Sequence, residues 1–163
     1  MKAIVKPTPE PGVIEVKDLP MPEAGPGEVL VKMSAAGICY SDVMIYKGSY
    51  KGRVPVPSPM IMGHEGAGVV AAVGKGVENL KAGDKVGLNP LWGCGQCEPC
   101  ANGQPNMCLS WRHLGITCDG TFAEYREAFL SEYRIIPHEV REAQRARRKA
   151  NAGPLPAPGK ASR

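Results

Sequence analysis

Four cysteines with two, two and seven residues between them, Cys94-x2-Cys97-x2-Cys100-x7-Cys108, constrain this 163-residue chain more than any other feature. Zinc takes four ligands in a tetrahedron, and thiolates are the usual set where the site is closed and structural. Gly93, Gly95 and Pro99 permit the tight turns that let three closely spaced cysteines wrap one ion, and the longer step brings Cys108 in from the far side. The lobe around them, residues 92–109, has little apolar material for a core of its own, so a metal would supply its folding energy. Three other readings compete. Iron–sulfur runs share the Cys-x2-Cys-x2-Cys spacing, but their next cysteine follows after three residues and precedes Pro, whereas here seven residues intervene and Leu109 follows. Disulfides between such close neighbours are awkward in geometry. A redox Cys-x2-Cys would leave two cysteines unexplained. Structural zinc accounts for all four.

The start of the chain, MKAIVKPTPEPG, lacks the apolar stretch of a secretory signal, and no apolar run reaches membrane-span length. A cytoplasmic setting is the expectation, one in which clustered cysteines mean metal or catalysis. The net charge of +4 divides unevenly: residues 138–163 hold seven Lys/Arg against two Glu, a net of +5, so the first 137 residues sum to −1. A near-neutral body offers no nucleic-acid surface and no membrane surface.

Gly 20 and Pro 16 are high for this length and aromatics are only 6%, which favours short strands and tight turns over a helix bundle. Strands are expected at Ala3–Lys6, Val13–Lys17, Glu28–Ala35, Gly68–Val73, Lys85–Leu88, Phe122–Arg126 and Arg134–Ile136. Val29, Val31 and Met33 alternate, as on a half-buried strand. One short helix follows Cys39, with Ser41 or Asp42 as its cap and Gly48 as its stop. Past Glu139 the stretch REAQRARRKA reads as an exposed helix without an apolar stripe, and NAGPLPAPGKASR as a disordered end. The expected division is a domain over residues 1–137 and a basic tail over 138–163.

Outside the lobe stand Cys39, Cys118, His64, His113 and His138. A lone cysteine is usually a small buried hydrophobe and a lone histidine a hydrogen-bonded core or surface residue. Cys39 and His64 differ in setting. Gly37-Ile38-Cys39 ends a strand and Gly63-His64-Glu65-Gly66 opens another, both places where a side chain can face a cleft. The helical His-Glu-x-x-His zinc motif is absent, because Gly68 holds its fifth position. Gly66-Ala67-Gly68-Val69-Val70-Ala71 matches the loosest dinucleotide fingerprint but leads into a β-like run rather than a helix, so it is set aside. No P-loop and no nucleophile–His–acid triad is visible.

Taken in order, Gly37-Ile38-Cys39-x-Ser41-Asp42, Gly63-His64-Glu65-x-x-Gly68-x-Val70, Gly83-Asp84-x-Val86, the four-cysteine lobe and Gly120-Thr121-Phe122-Ala123-Glu124-Tyr125 resemble the zinc-dependent medium-chain alcohol dehydrogenases, nearest to the polyol and threonine branch. The resemblance covers residues 1–137. It implies a mainly β, GroES-like fold: a partly open β-barrel with short helices and a four-cysteine zinc lobe. It also implies a second, catalytic zinc on Cys39 and His64, with Glu65 as ligand or close partner, for NAD(P)-dependent oxidation of a small alcohol or polyol. Ser41 would take the alcohol proton, and Asp42 would orient His64 through its other ring nitrogen.

The departures from the family pattern carry expectations too. Met44 stands where many members have a relay His, and Tyr40 where some place a cofactor-phosphate Arg. No acid or Cys follows Glu142 to act as a further zinc ligand, and no dinucleotide-binding domain follows. The expectations are a truncated or frameshifted reading frame, a dehydrogenase domain inactive or weak alone, one tight zinc in the lobe, and a weak or empty second site. Two other functions stand beside a dehydrogenase domain. One is a zinc-dependent hydrolase-type activity at an under-coordinated Cys39/His64/Glu65 site. The other is a non-catalytic metal- or partner-binding module that forms homo-oligomers through exposed apolar surface.

Overall fold

Alternation of the kind read at Val29 and Val31 places two sheets in the computed structural model, which describes residues 1–50, 54, 56–129, 136–137 and 146. The larger sheet holds β3 (Glu28–Gly37), β5 (Glu65–Val73), β6 (Lys85–Gly87), β9 (Tyr125–Phe129) and β10 (Ile136–Pro137) in the order β10-β6-β5-β3-β9. The smaller holds β1 (Lys2–Lys6), β2 (Glu15–Asp18) and β4 (Met60–Ile61) in the order β2-β1-β4, and the pair β7 (Leu91–Trp92) and β8 (Arg112–His113) stands apart. Every strand pairing is antiparallel. Two short helices, α1 (Tyr40–Tyr46) and α2 (Glu98–Ala101), and a 3-10 turn at Pro105–Met107 complete the described elements.

The expected face is borne out: Val29 and Val31 are fully buried and join Val70, Val86, Leu88, Trp92, Leu114 and Ala128 in one core, with Met33 packed against it. The run after Gly66 is the interior of β5, so the loose dinucleotide match is a strand. Irregular register between β3 and β5 falls at Leu30/Val31 and Met33/Ala35, and beyond it Gly37 pairs with Glu65. That pairing brings the end of β3 beside the start of β5.

Some expectations shift. The strand expected at Phe122–Arg126 lies at Tyr125–Phe129. The preceding residues are occupied elsewhere: Gly120, Thr121 and Phe122 donate their backbone N–H groups to Ile61, Gly63 and Met62. The Phe122 ring packs against a second cluster of Ile45, Met62 and Ile116. The strand expected at Val13–Lys17 begins at Glu15, where the ladder with β1 starts. β4, β7 and β8 are two-residue strands, too short to show a period in sequence. The helix cap is Cys39, neither Ser41 nor Asp42. Asp42 sits one turn in and accepts the Cys39 N–H at 2.9 Å, the reciprocal half of a capping box. Gly48 does end the helix, with φ at +69°. Of the strand expected at Arg134–Ile136, only Ile136 is described, in β10; the basic tail, His138 included, lies outside the described residues except for Ala146.

Candidate metal centres

The antiparallel pair β7–β8 matches Leu91 with His113 and Trp92 with Arg112, closing residues 93–111 into a loop. α2 and the 3-10 turn fold inside it, and there the thiols of Cys94, Cys97, Cys100 and Cys108 converge within 4.8 Å of one another. Four sulfurs about 2.3 Å from a central zinc stand about 3.8 Å apart along the edges of their tetrahedron. The Sγ atoms of Cys97 and Cys108 are 3.8 Å apart. Thiolates need N–H donors, and the loop supplies them: Cys108 Sγ accepts from Cys94 at 3.1 Å and Ser110 at 3.2 Å, and Cys94 Sγ from Cys97 at 3.4 Å. Backbone N–H groups of Cys100 and Leu109 pull the Cys97 thiol down to about 6. Desolvation pushes Cys100 up to about 12, with its sulfur neighbours adding to the rise, which is the behaviour of crowded thiols that share one negative field. The donor set, spacing and N–H supply fit zinc.

A second group forms where β3 ends and β5 begins. Cys39, His64 and Glu65 bring their ligand atoms within 4.8 Å of one another. Local chain geometry makes this tight approach. Gly63 adopts φ +89°, and a Cβ there would clash with the Phe122 ring. Gly37 leaves room for the Glu65 carboxylate, since a Cβ on it would come 2.5 Å from Oε2.

Behind this group stands α1. Ser41 Oγ lies 3.1 Å from His64 Nε2. Asp42 Oδ1 lies 3.5 Å from His64 Nδ1, both side chains nearly buried, at an ion-pair distance slightly long for a hydrogen bond. Neither of those two atoms finds a hydrogen bond among the described residues. The Asp42 carboxylate dominates the imidazole's protonation and lifts His64 to about 9, while burial opposes it and Cys39 adds to the rise. Cys39 in turn is pulled below its ordinary value, first by the Ser41 hydroxyl and amide and then by His64. A buried histidine with a carboxylate behind one nitrogen is the arrangement that orients imidazole as a metal ligand. Among the described residues the group holds three donors, an open set of the catalytic kind.

Ser41, His64 and Asp42 line up in the order of a nucleophile, base and acid, but the Asp42–His64 separation is too long for the orienting hydrogen bond of a triad. Their charge state is also unsuited to the work. At about 9, His64 is protonated at neutral pH and has no lone pair to take the Ser41 proton. Met44 and Tyr40 follow Cys39 on α1, with Tyr40 largely exposed. Cys118 joins neither metal group.

Sequence reasoning passed over His113. Its ring meets that of His64 edge to face, centroids 5.0 Å apart and planes at 69°. Its Nδ1 donates to the Leu114 carbonyl at 2.8 Å, and burial lowers its pKa. A lone histidine in a two-residue strand leaves no pattern by which it could have been found.

A mainly β, partly open barrel carrying a four-thiol lobe and a separate Cys–His–Glu group defines the class as a GroES-like domain. The family model described as "Alcohol dehydrogenase GroES-like domain" matches residues 25–138, and the chain belongs to that family. It is 42% identical over 140 residues to the starvation-sensing protein RspB of Escherichia coli, covering 86% of this chain and 40% of that protein. To the L-threonine 3-dehydrogenase of Pyrococcus furiosus it is 42% identical over 125 residues, 77% of this chain and 36% of the relative. The crystal structure of an NAD-dependent alcohol dehydrogenase superposes with a TM-score of 0.74 at 40% identity, over 84% of this chain and 39% of that one. The chain thus spans about two fifths of the length of the curated relatives it matches. No helix among the described residues is long and apolar enough to cross a membrane.

Proposed function

We propose that residues 1–137 are the catalytic domain of a zinc- and NAD(P)-dependent dehydrogenase acting on a small alcohol or polyol. The observation that carries the reading is the meeting of Cys39, His64 and Glu65 at the β3–β5 junction with Asp42 behind the imidazole. In this reading Cys94, Cys97, Cys100 and Cys108 hold a structural zinc, and Cys39, His64 and Glu65 hold a catalytic one. Bound there, zinc supplies Lewis-acid polarisation of an alcohol oxygen.

The remaining work belongs to the chain's own side chains. Asp42 fixes the His64 ring by its Nδ1 edge and so turns Nε2 toward the other two donors. Ser41 Oγ shares a hydrogen bond with that Nε2; with Nε2 engaged by zinc, the hydroxyl would be free to accept a hydrogen bond from the alcohol. An open groove of about 500 Å³ lined by Ile14, Ile38, Val43, Tyr46, Met62 and Phe122 reaches Asp42 and offers an apolar bed for the carbon chain. The nicotinamide cofactor is not held by residues 66–71, which are strand residues of β5 rather than the turn and helix start of a dinucleotide site.

The test uses cobalt in place of zinc on the full chain. Two cobalt ions bind, the second more weakly, and its visible spectrum shifts on adding a polyol or L-threonine. The double variant Cys39→Ser, His64→Ala retains only the first ion and loses the shift. Equal loading of wild type and double variant, or a second-site spectrum indifferent to every alcohol, would overturn the proposal.

A further inference from the structure

The His64 ring is held from two sides, and only one of them belongs to α1. Ser41 and Asp42 take its two nitrogens. The opposite contact comes from His113 on β8, edge to face at 5.0 Å. His113 is itself immobilised. Its amide donates to Thr117 Oγ1 at 2.8 Å, and its Nδ1 donates to the Leu114 carbonyl, also at 2.8 Å. Its carbonyl accepts from Ile116 and Thr117, and Trp111 stands edge-on at 6.2 Å. The same loop touches the chain just before His64, because Gly115 lies so close to the Gly63 backbone that a Cβ on it would come 2.7 Å from the Gly63 nitrogen. A fixed ring therefore abuts the His64 ring from an element other than α1.

We propose that His113 is a positioning residue for His64: its ring packs against the imidazole and keeps Nδ1 toward Asp42 and Nε2 toward Ser41, the orientation in which the ring stands beside Cys39 and Glu65. This rests on the reading of Cys39, His64 and Glu65 as a metal site only for its consequence in affinity; the positioning itself is a property of the chain. Loss of outer partners of a ligating histidine typically costs 10–100-fold in metal affinity. Here the contact is ring packing rather than a hydrogen bond, so the expected loss is at the low end, about tenfold.

Two variants separate ring packing from a general loss of fold. His113→Leu removes the aromatic ring while filling its volume, and His113→Phe keeps a ring without nitrogens. Each is studied as the full chain with one equivalent of zinc filling the lobe. Proton NMR then reads the contacts of the His64 ring hydrogens with the Ser41 and Asp42 methylenes, before any second metal is added. In wild type and His113→Phe these contacts are strong and single-valued; in His113→Leu they weaken and average. Cobalt then titrates the second site, which weakens about tenfold in His113→Leu and is restored in His113→Phe. The lobe's own cobalt spectrum, recorded separately, stays the same in all three and reports an intact fold. Unchanged His64 contacts in His113→Leu would overturn the proposal, and so would a His113→Phe that behaves like His113→Leu. Should wild type take up no second cobalt, the metal-site reading fails, and the NMR contacts alone decide the role of His113.

Discussion

Replacing Asp42 by Asn removes one charge and leaves the shape of the α1 cap nearly unchanged. The carboxylate is the largest cause of the rise of His64 from 6.5 to about 9. A rise of that size is worth about 3 kcal/mol at 1.36 kcal/mol per unit, and the His64 side chain is only 7% exposed, so water screens little of it. Because the folded value lies above the unfolded one, this stability is fully present below pH 6.5. It stands at about 2.5 kcal/mol at pH 7 and is lost as pH rises through about 9. In Asp42→Asn the largest cause of the rise is gone while burial still opposes it and only Cys39 adds to it, so His64 falls well below its wild-type value. The assay is urea unfolding across pH 6 to 10 with one equivalent of zinc to fill the lobe, paired with an NMR titration of the His64 ring. Wild type loses stability from pH 6.5 to 9; the variant falls much less over that range, and the two curves converge above it. A variant that keeps the wild-type slope would refute the assignment of that slope to the Asp42–His64 pair.

Other outcomes follow from the same geometry. Cys108→Ser, which removes the thiol that accepts two backbone N–H groups, lowers bound zinc by one equivalent in metal analysis and lowers the melting temperature. Gly63→Ala forces a Cβ into the Phe122 ring at a positive φ; it costs about 2 kcal/mol or more in denaturant unfolding and weakens the second metal site as well. Val31→Ala, in a fully buried position of the main core, costs about 2 kcal/mol in the same assay while leaving metal content unchanged.

The lobe was legible from spacing alone, because Cys94 to Cys108 lie within one short stretch of chain and turn chemistry carries them together. The alternation of Val29 and Val31 likewise announced a buried face, since each strand records in its own period which side meets the core. What β5 was not could also be read: a Val-rich run after Gly68 continues a strand and cannot open a helix. For the second site, strand-end setting singled out Cys39 and His64 separately, and only family resemblance joined them with Glu65. Nothing local couples Cys39 to His64, and they meet because Gly37 pairs with Glu65 across two strands. That register is set by packing and by the irregularities of the β3–β5 ladder, which leave no trace in periodicity. The cap of α1 was misplaced for a related reason: Asp42 caps by reaching back to the Cys39 N–H, a choice of direction that residue preferences do not fix. The Ser41–His64–Asp42 alignment and the contact of His113 with His64 belonged wholly to the tertiary structure. They join residues from α1, the approach to β5 and a two-residue strand, and only the folded arrangement of those segments decides which side chain faces which. The sequence by itself determined the chemistry available to this chain, four thiols in one loop and a Cys, a His and a Glu elsewhere. The fold decided which of those groups share a site, because contacts between distant residues are fixed by register and packing rather than by local pattern.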